Sequence, residues 1–151
     1  MNIRLSILTC IALLTWSAAT IAADAALNIQ SVKGRFEEVK ERVVTAIESR
    51  GLVLNYTAHI GAMLERTGKD LGANRRVFEQ ADAFEFCSAA VSRQTMEDDP
   101  HNIGFCPYVI NVYVLPQEPG RVYVSYRKFP PSKRMRPAAQ LVEAIVKEAL
   151  R

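Results

Sequence analysis

Tyr108 to Leu115 places Ile110, Val112 and Val114 on one face of an extended segment and Val109, Tyr113 and Leu115 on the other. Pro116-Gln117-Glu118-Pro119-Gly120 follows, and then Val122-Tyr123-Val124-Ser125-Tyr126 alternates again. Two alternating runs joined by a Pro/Gly turn predict neighbouring antiparallel strands. Apolar residues on both faces of the first run predict that both are at least partly covered. Any fold for this chain has to be built around that hairpin.

The rest of the chain supplies elements to pack on it. Leu27 to Val32 alternates, and Phe36, Val39, Val43 and Ile47 then recur at helical spacing. A strand followed by a helix from Arg35 to Arg50 is predicted, with Gly51 as its left-handed C-terminal cap. Leu52 to Tyr56 reads as a strand entering the core, and Ile60, Met63, Leu64 and Thr67 mark a short second helix. Ala83 to Cys87 predicts a strand and Ala89 to Glu97 a helical segment that ends in the acidic turn Glu97-Asp98-Asp99-Pro100. Pro137 fits the first turn of a last helix to Leu150, with Leu141, Val142, Ile145 and Ala149 as its buried stripe. Strands and helices alternate, yet the hairpin makes part of the sheet antiparallel. The predicted class is α+β: a mixed, largely antiparallel sheet of about five strands with helices packed on it.

Residues 1–23 have the grammar of a signal peptide: Arg4, an apolar run from Leu5 to Trp16, then small residues ending at Ala22-Ala23. The run is about a dozen residues, short of the roughly 20 that a spanning helix needs. Cleavage after Ala22 or Ala23 is expected, leaving a single domain over 24–151 that is periplasmic or secreted and has no stable membrane span. Retention of the segment as an anchor is the alternative, and Thr9 before Cys10 argues against a lipoprotein. Of the 19 Lys and Arg only Arg4 lies in the leader, so 18 basic side chains meet 16 acidic ones in the mature chain. That near balance gives no reason to expect nucleic acid as a partner.

The order of these features resembles domain-of-unknown-function family 302. The features are the helix before Gly51, the short strand after it, the strand ending in Phe86, Met96 before an acidic turn, Pro107 at a strand start, and Val122-Tyr123-Val124-Ser125-Tyr126. The resemblance spans nearly all of the mature chain. It implies a small α+β domain, commonly homodimeric, with no agreed activity and no catalytic residues to carry over. Cys87 and Cys106 depart from the family pattern, standing where glycine-like and leucine-like residues belong.

Those cysteines are the distinctive chemistry. Once the leader and Cys10 are removed, Cys87 and Cys106 remain, one at the end of a predicted strand and one at the start of the next. In an exported protein a disulfide is the first reading. Two separately buried thiols acting as small hydrophobes are the bland alternative. Met96 and His101 lie between the cysteines, and thiolate, thioether and imidazole together suit copper, so Cys87, Met96, His101 and Cys106 form a candidate metal site. Haem ligation through Cys106-Pro107 is the other cofactor reading, although no Cys-x-x-Cys-His is present for covalent attachment. Eighteen residues separate the cysteines and no cation adjoins them in sequence, which excludes a thioredoxin-like role.

No serine nucleophile has a plausible base, and the glycines match neither nucleotide fingerprint. His59, near a helix start, reads as a capping or surface histidine. The sequon Asn55-Tyr56-Thr57 overlaps a predicted strand and reads as coincidence. Arg127, Lys128, Lys133, Arg134 and Arg136 form a basic connector suited to an acidic partner, anionic lipid or the acidic turn of a neighbouring subunit. A solvated loop is its plainer reading. The sequence thus predicts a non-enzymatic binding or assembly module, with a copper or haem carrier as the alternative.

Overall fold

The computed structural model describes residues 26–73 and 75–151. The predicted leader, with Cys10, lies outside the described residues. In chain order the elements are β1 (Leu27–Lys33), α1 (Phe36–Glu48), β2 (Val53–Ala58), α2 (Ile60–Asp70), β3 (Gln80–Cys87) and α3 (Ala89–Asp98). A 3-10 helix (Pro100–Phe105), β4 (Tyr108–Val114), β5 (Arg121–Arg127) and α4 (Arg136–Ala149) complete them. The strands form one sheet in the order β1-β5-β4-β3-β2, and each neighbouring pair is antiparallel. This is the predicted α+β class, with β4 and β5 paired as the hairpin required and β4 at the centre of the sheet.

Strand alternation divides the sheet into two unlike faces. Phe84, Phe86, Tyr108, Ile110, Val112, Val122 and Val124 point to one face and are buried. α1 covers them with Phe36, Val39, Val43 and Ile47, the four positions marked by periodicity. α4 adds Ala138, Val142, Ile145, Val146 and Ala149, while Leu141 sits at the cluster's margin. Each large apolar side chain fully buried here contributes about 1.5–3 kcal/mol. α1 ends as its sequence requires: Gly51 takes φ +69°, which lets its N–H donate to the Glu48 carbonyl.

The opposite face turns away from α1 and α4. Tyr113 and Tyr123 stack on it with centroids 5.3 Å apart, and Phe78 meets the edge of Tyr113. Asn111 donates to the Ser125 hydroxyl between neighbouring strands.

β2 differs from its sequence expectation. It is an edge strand and not a core one: Val53 and Tyr56 are 73% and 60% exposed, and only Leu52 and Leu54 touch the core. A register shift between Leu54 and Tyr56 at its pairing with β3 turns Tyr56 to the outer face. α2 likewise buries no residue fully, despite its apolar spacing. The segment after the acidic turn is the 3-10 helix, capped by Asp99 accepting from the His101 N–H.

Candidate functional site

The two cysteines meet where β3 exits and β4 begins. Ser88, directly after Cys87, caps α3 by accepting from the Val91 N–H, which turns the chain back over the sheet end. The 3-10 helix then returns the chain to Cys106, whose N–H donates to the Ile103 carbonyl. This path sets the Cys87 and Cys106 Sγ atoms 3.1 Å apart, both half-buried and both free thiols. That is longer than the roughly 2.05 Å of a disulfide bond, so the pair is juxtaposed but not bonded.

The surroundings of the pair are polar on one side and aromatic on the other. Ser92 Oγ lies 3.6 Å from Cys106 Sγ and 3.4 Å from the Tyr108 hydroxyl. Tyr108 is buried and packs edge-on against Phe86 and Phe129, and Phe105 leans on Phe129. Burial pushes the Cys87 thiol up to about 11, with the neighbouring Cys106 and the charge of Glu85 acting in the same direction. Burial also raises the Tyr108 hydroxyl. A reactive cysteine needs the reverse, a thiolate favoured by a cation or a helix N-terminus.

The other residues singled out in the sequence divide. Met96 lies half-buried on α3, and His101 is exposed on the 3-10 helix. Among the described residues no three His, Cys, Asp or Glu side chains converge as a metal-holding group, so His101 does not join the thiols in one. Arg127, Lys128, Lys133, Arg134 and Arg136 are all exposed. Arg127 donates to the Gly104 carbonyl at 3.3 Å, tying the connector's start to the end of the 3-10 helix. Buried Met135, whose N–H donates to Ser132 Oγ, anchors the other end.

A second polar constellation is not legible in the sequence. Asp82 occupies a core-facing position of β3 and is buried, with its Oδ1 accepting from His59 Nδ1 at 2.8 Å and its Oδ2 3.6 Å from Lys40 Nζ. Lys40 also pairs with Glu37, whose hydrogen bond is the main reason that its amine is held above the usual lysine range. His59 therefore acts as a partner to a buried carboxylate, at the mouth of a cleft of about 290 Å³ between α1, α2 and β3. One signal does point to it: an aspartate at an inward position between Ala81 and Ala83 must find a partner. Which partner is not readable, since His59 and Lys40 reach it from two other elements.

The molecule is thus a helix-backed antiparallel sheet of the α+β class, with a close thiol pair at one end of its central strands. Residues 28–151 match the family model for the Domain of unknown function DUF302, and the chain belongs to that family. A solved structure similar to it is the crystal structure of the uncharacterized conserved protein DUF302 from Bacillus stearothermophilus. It has a TM-score of 0.64 and 16% identity over 83% of this chain and 98% of that one. At that identity the likeness concerns the fold. No curated protein matches the chain. Among the described residues no helix is long and apolar enough to cross a membrane.

Proposed function

We propose that this protein is an exported, non-enzymatic binding or assembly module that works as a homodimer, with Cys87 and Cys106 closing to a disulfide that secures the loop between them. The observation that carries the reading is the 3.1 Å approach of the two thiols. The two sulfurs need approach by only about 1 Å more to bond, while Cys87 is not poised as a nucleophile. The signal-peptide grammar of residues 1–23 supplies a periplasmic or secreted setting in which thiols oxidise. Closure passes two electrons and two protons to a disulfide-bearing oxidant of that compartment, whose own disulfide is reduced to two thiols.

Intact mass of the protein as purified from cells tests this. Reduction is expected to add about two daltons, with two alkylations only afterwards. Two thiols free as isolated, with stoichiometric copper kept through dialysis, would overturn the disulfide and establish the soft-metal reading, for which the proximity of two sulfur donors is the supporting feature.

A further inference from the structure

The outer face of the sheet carries a charge pattern that selects a partner. Continuing the β4–β5 register one residue past its last pair, Ile110 with Tyr126, the strands put Tyr56, Glu85, Val109, Arg127 and Leu27 in a single row across β2, β3, β4, β5 and β1. Val109 is on the central strand, and Glu85 and Arg127 flank it one strand away on either side, each offset by about 4.8 Å. Glu85 is half-buried and has no hydrogen bond or ion pair among the described residues. An unpaired carboxylate between Tyr56 and Val109 gains little in the monomer. The next row runs Ala58, Ala83, Asn111, Ser125 and Ile29; Ala83 and Ser125 are already buried in the single chain, and Ile29 at its β1 end is exposed.

We infer that this face is the self-association surface, taking a second copy of the same chain across a two-fold axis that runs along β4. The inference rests on the homodimeric reading above and assigns its interface. Rotation about that axis exchanges the β3 side of one sheet with the β5 side of the other. Glu85 then faces the partner's Arg127, and Arg127, whose guanidinium also donates to the Gly104 carbonyl of its own chain, faces the partner's Glu85, while Val109 meets its own equivalent on the axis. Tyr56 falls over Leu27, Ala83 over Ser125, Ala58 over Ile29, and the Asn111 amides meet each other. In this second row the bulk of Ile29 thus lies over a small side chain. Stacked sheets sit about 10 Å apart, a gap that a glutamate and an arginine span together. The alternative axis, across the strands, sets Glu85 over Glu85 and Arg127 over Arg127, and repulsion disfavours it. An isologous interface needs one self-complementary patch, and this row is one.

Sedimentation velocity across a dilution series tests the assignment with four proteins: wild type, E85R, R127E and the double exchange E85R/R127E. Each single reversal sets like charges opposite each other and is expected to weaken dimerisation by at least about tenfold. The double exchange restores opposite charges and is expected to recover most of the loss. Circular dichroism on each variant checks that it is folded, and the double exchange carries the test if a single variant is not. A dimer indifferent to the single reversals, or one that the double exchange leaves as weak as the singles, overturns this interface. A monomeric wild type overturns the homodimeric reading itself.

Discussion

At the scale of single residues, the thiol pair shows how environment decides chemistry. Cys87 is an ordinary cysteine in sequence, and its position beside Phe86 gives no hint of its acidity. Burial, the second thiol and Glu85 all disfavour its thiolate, so the ordinary value of 9.0 rises to about 11. Because the native state holds this proton more tightly than the unfolded chain, the reduced protein loses stability as pH climbs from 9.0 towards about 11 and is unaffected below that window. In the reduced protein, alkylation of Cys87 is expected to be slow at pH 8 and still accelerating above pH 9. A rate that saturates near pH 9, measured by peptide mapping after timed iodoacetamide pulses, would contradict the environment described for it. Asp82 makes the complementary point: a buried carboxylate is tolerated because His59 and Lys40 meet it.

At the scale of elements, α2 is held by a close approach and not by burial. None of its residues is fully buried, yet a Cβ at Gly61 would lie 2.8 Å from the Ala81 backbone nitrogen. Backbone cannot yield as a side-chain tip can, so Gly61→Ala must push α2 off β3. The variant is expected to be destabilised by about 1–3 kcal/mol in urea unfolding, with the loss seen first in hydrogen exchange of α2. Unchanged stability would mean that α2 is free to move. Periodicity found α1 and α4 with their buried stripes because a helix covering a core repeats its apolar residues locally. The same signal overstated α2 and β2, whose apolar residues lie at the edge of the sheet. Periodicity reports which residues share a face and is blind to whether another layer covers it.

For the molecule as a whole, the proposed disulfide between Cys87 and Cys106 would fasten the end of β3 to the start of β4 across α3 and the 3-10 helix. In the chain-entropy account, closing a loop of about 20 residues stabilises the fold by roughly 3 kcal/mol. Protein that has been reduced and kept reduced is therefore expected to unfold at lower denaturant than the protein as isolated, by about that amount in free energy. Coincident unfolding curves would show that the pair does not staple the native state. The element order, the antiparallel hairpin, the α+β class and the two cysteines at adjoining strand ends are all legible along the chain. Turn chemistry and alternation act over a few residues, so they are written locally. The strand order β1-β5-β4-β3-β2 and the meeting of His59 with Asp82 come instead from the packing of segments remote along the chain. The alignment of Glu85, Val109 and Arg127 belongs with these, since it depends on register between strands remote in sequence. Such register is fixed by the packing of α1 and α4 against one face, and shifting a single strand by one residue would turn its side chains to the other.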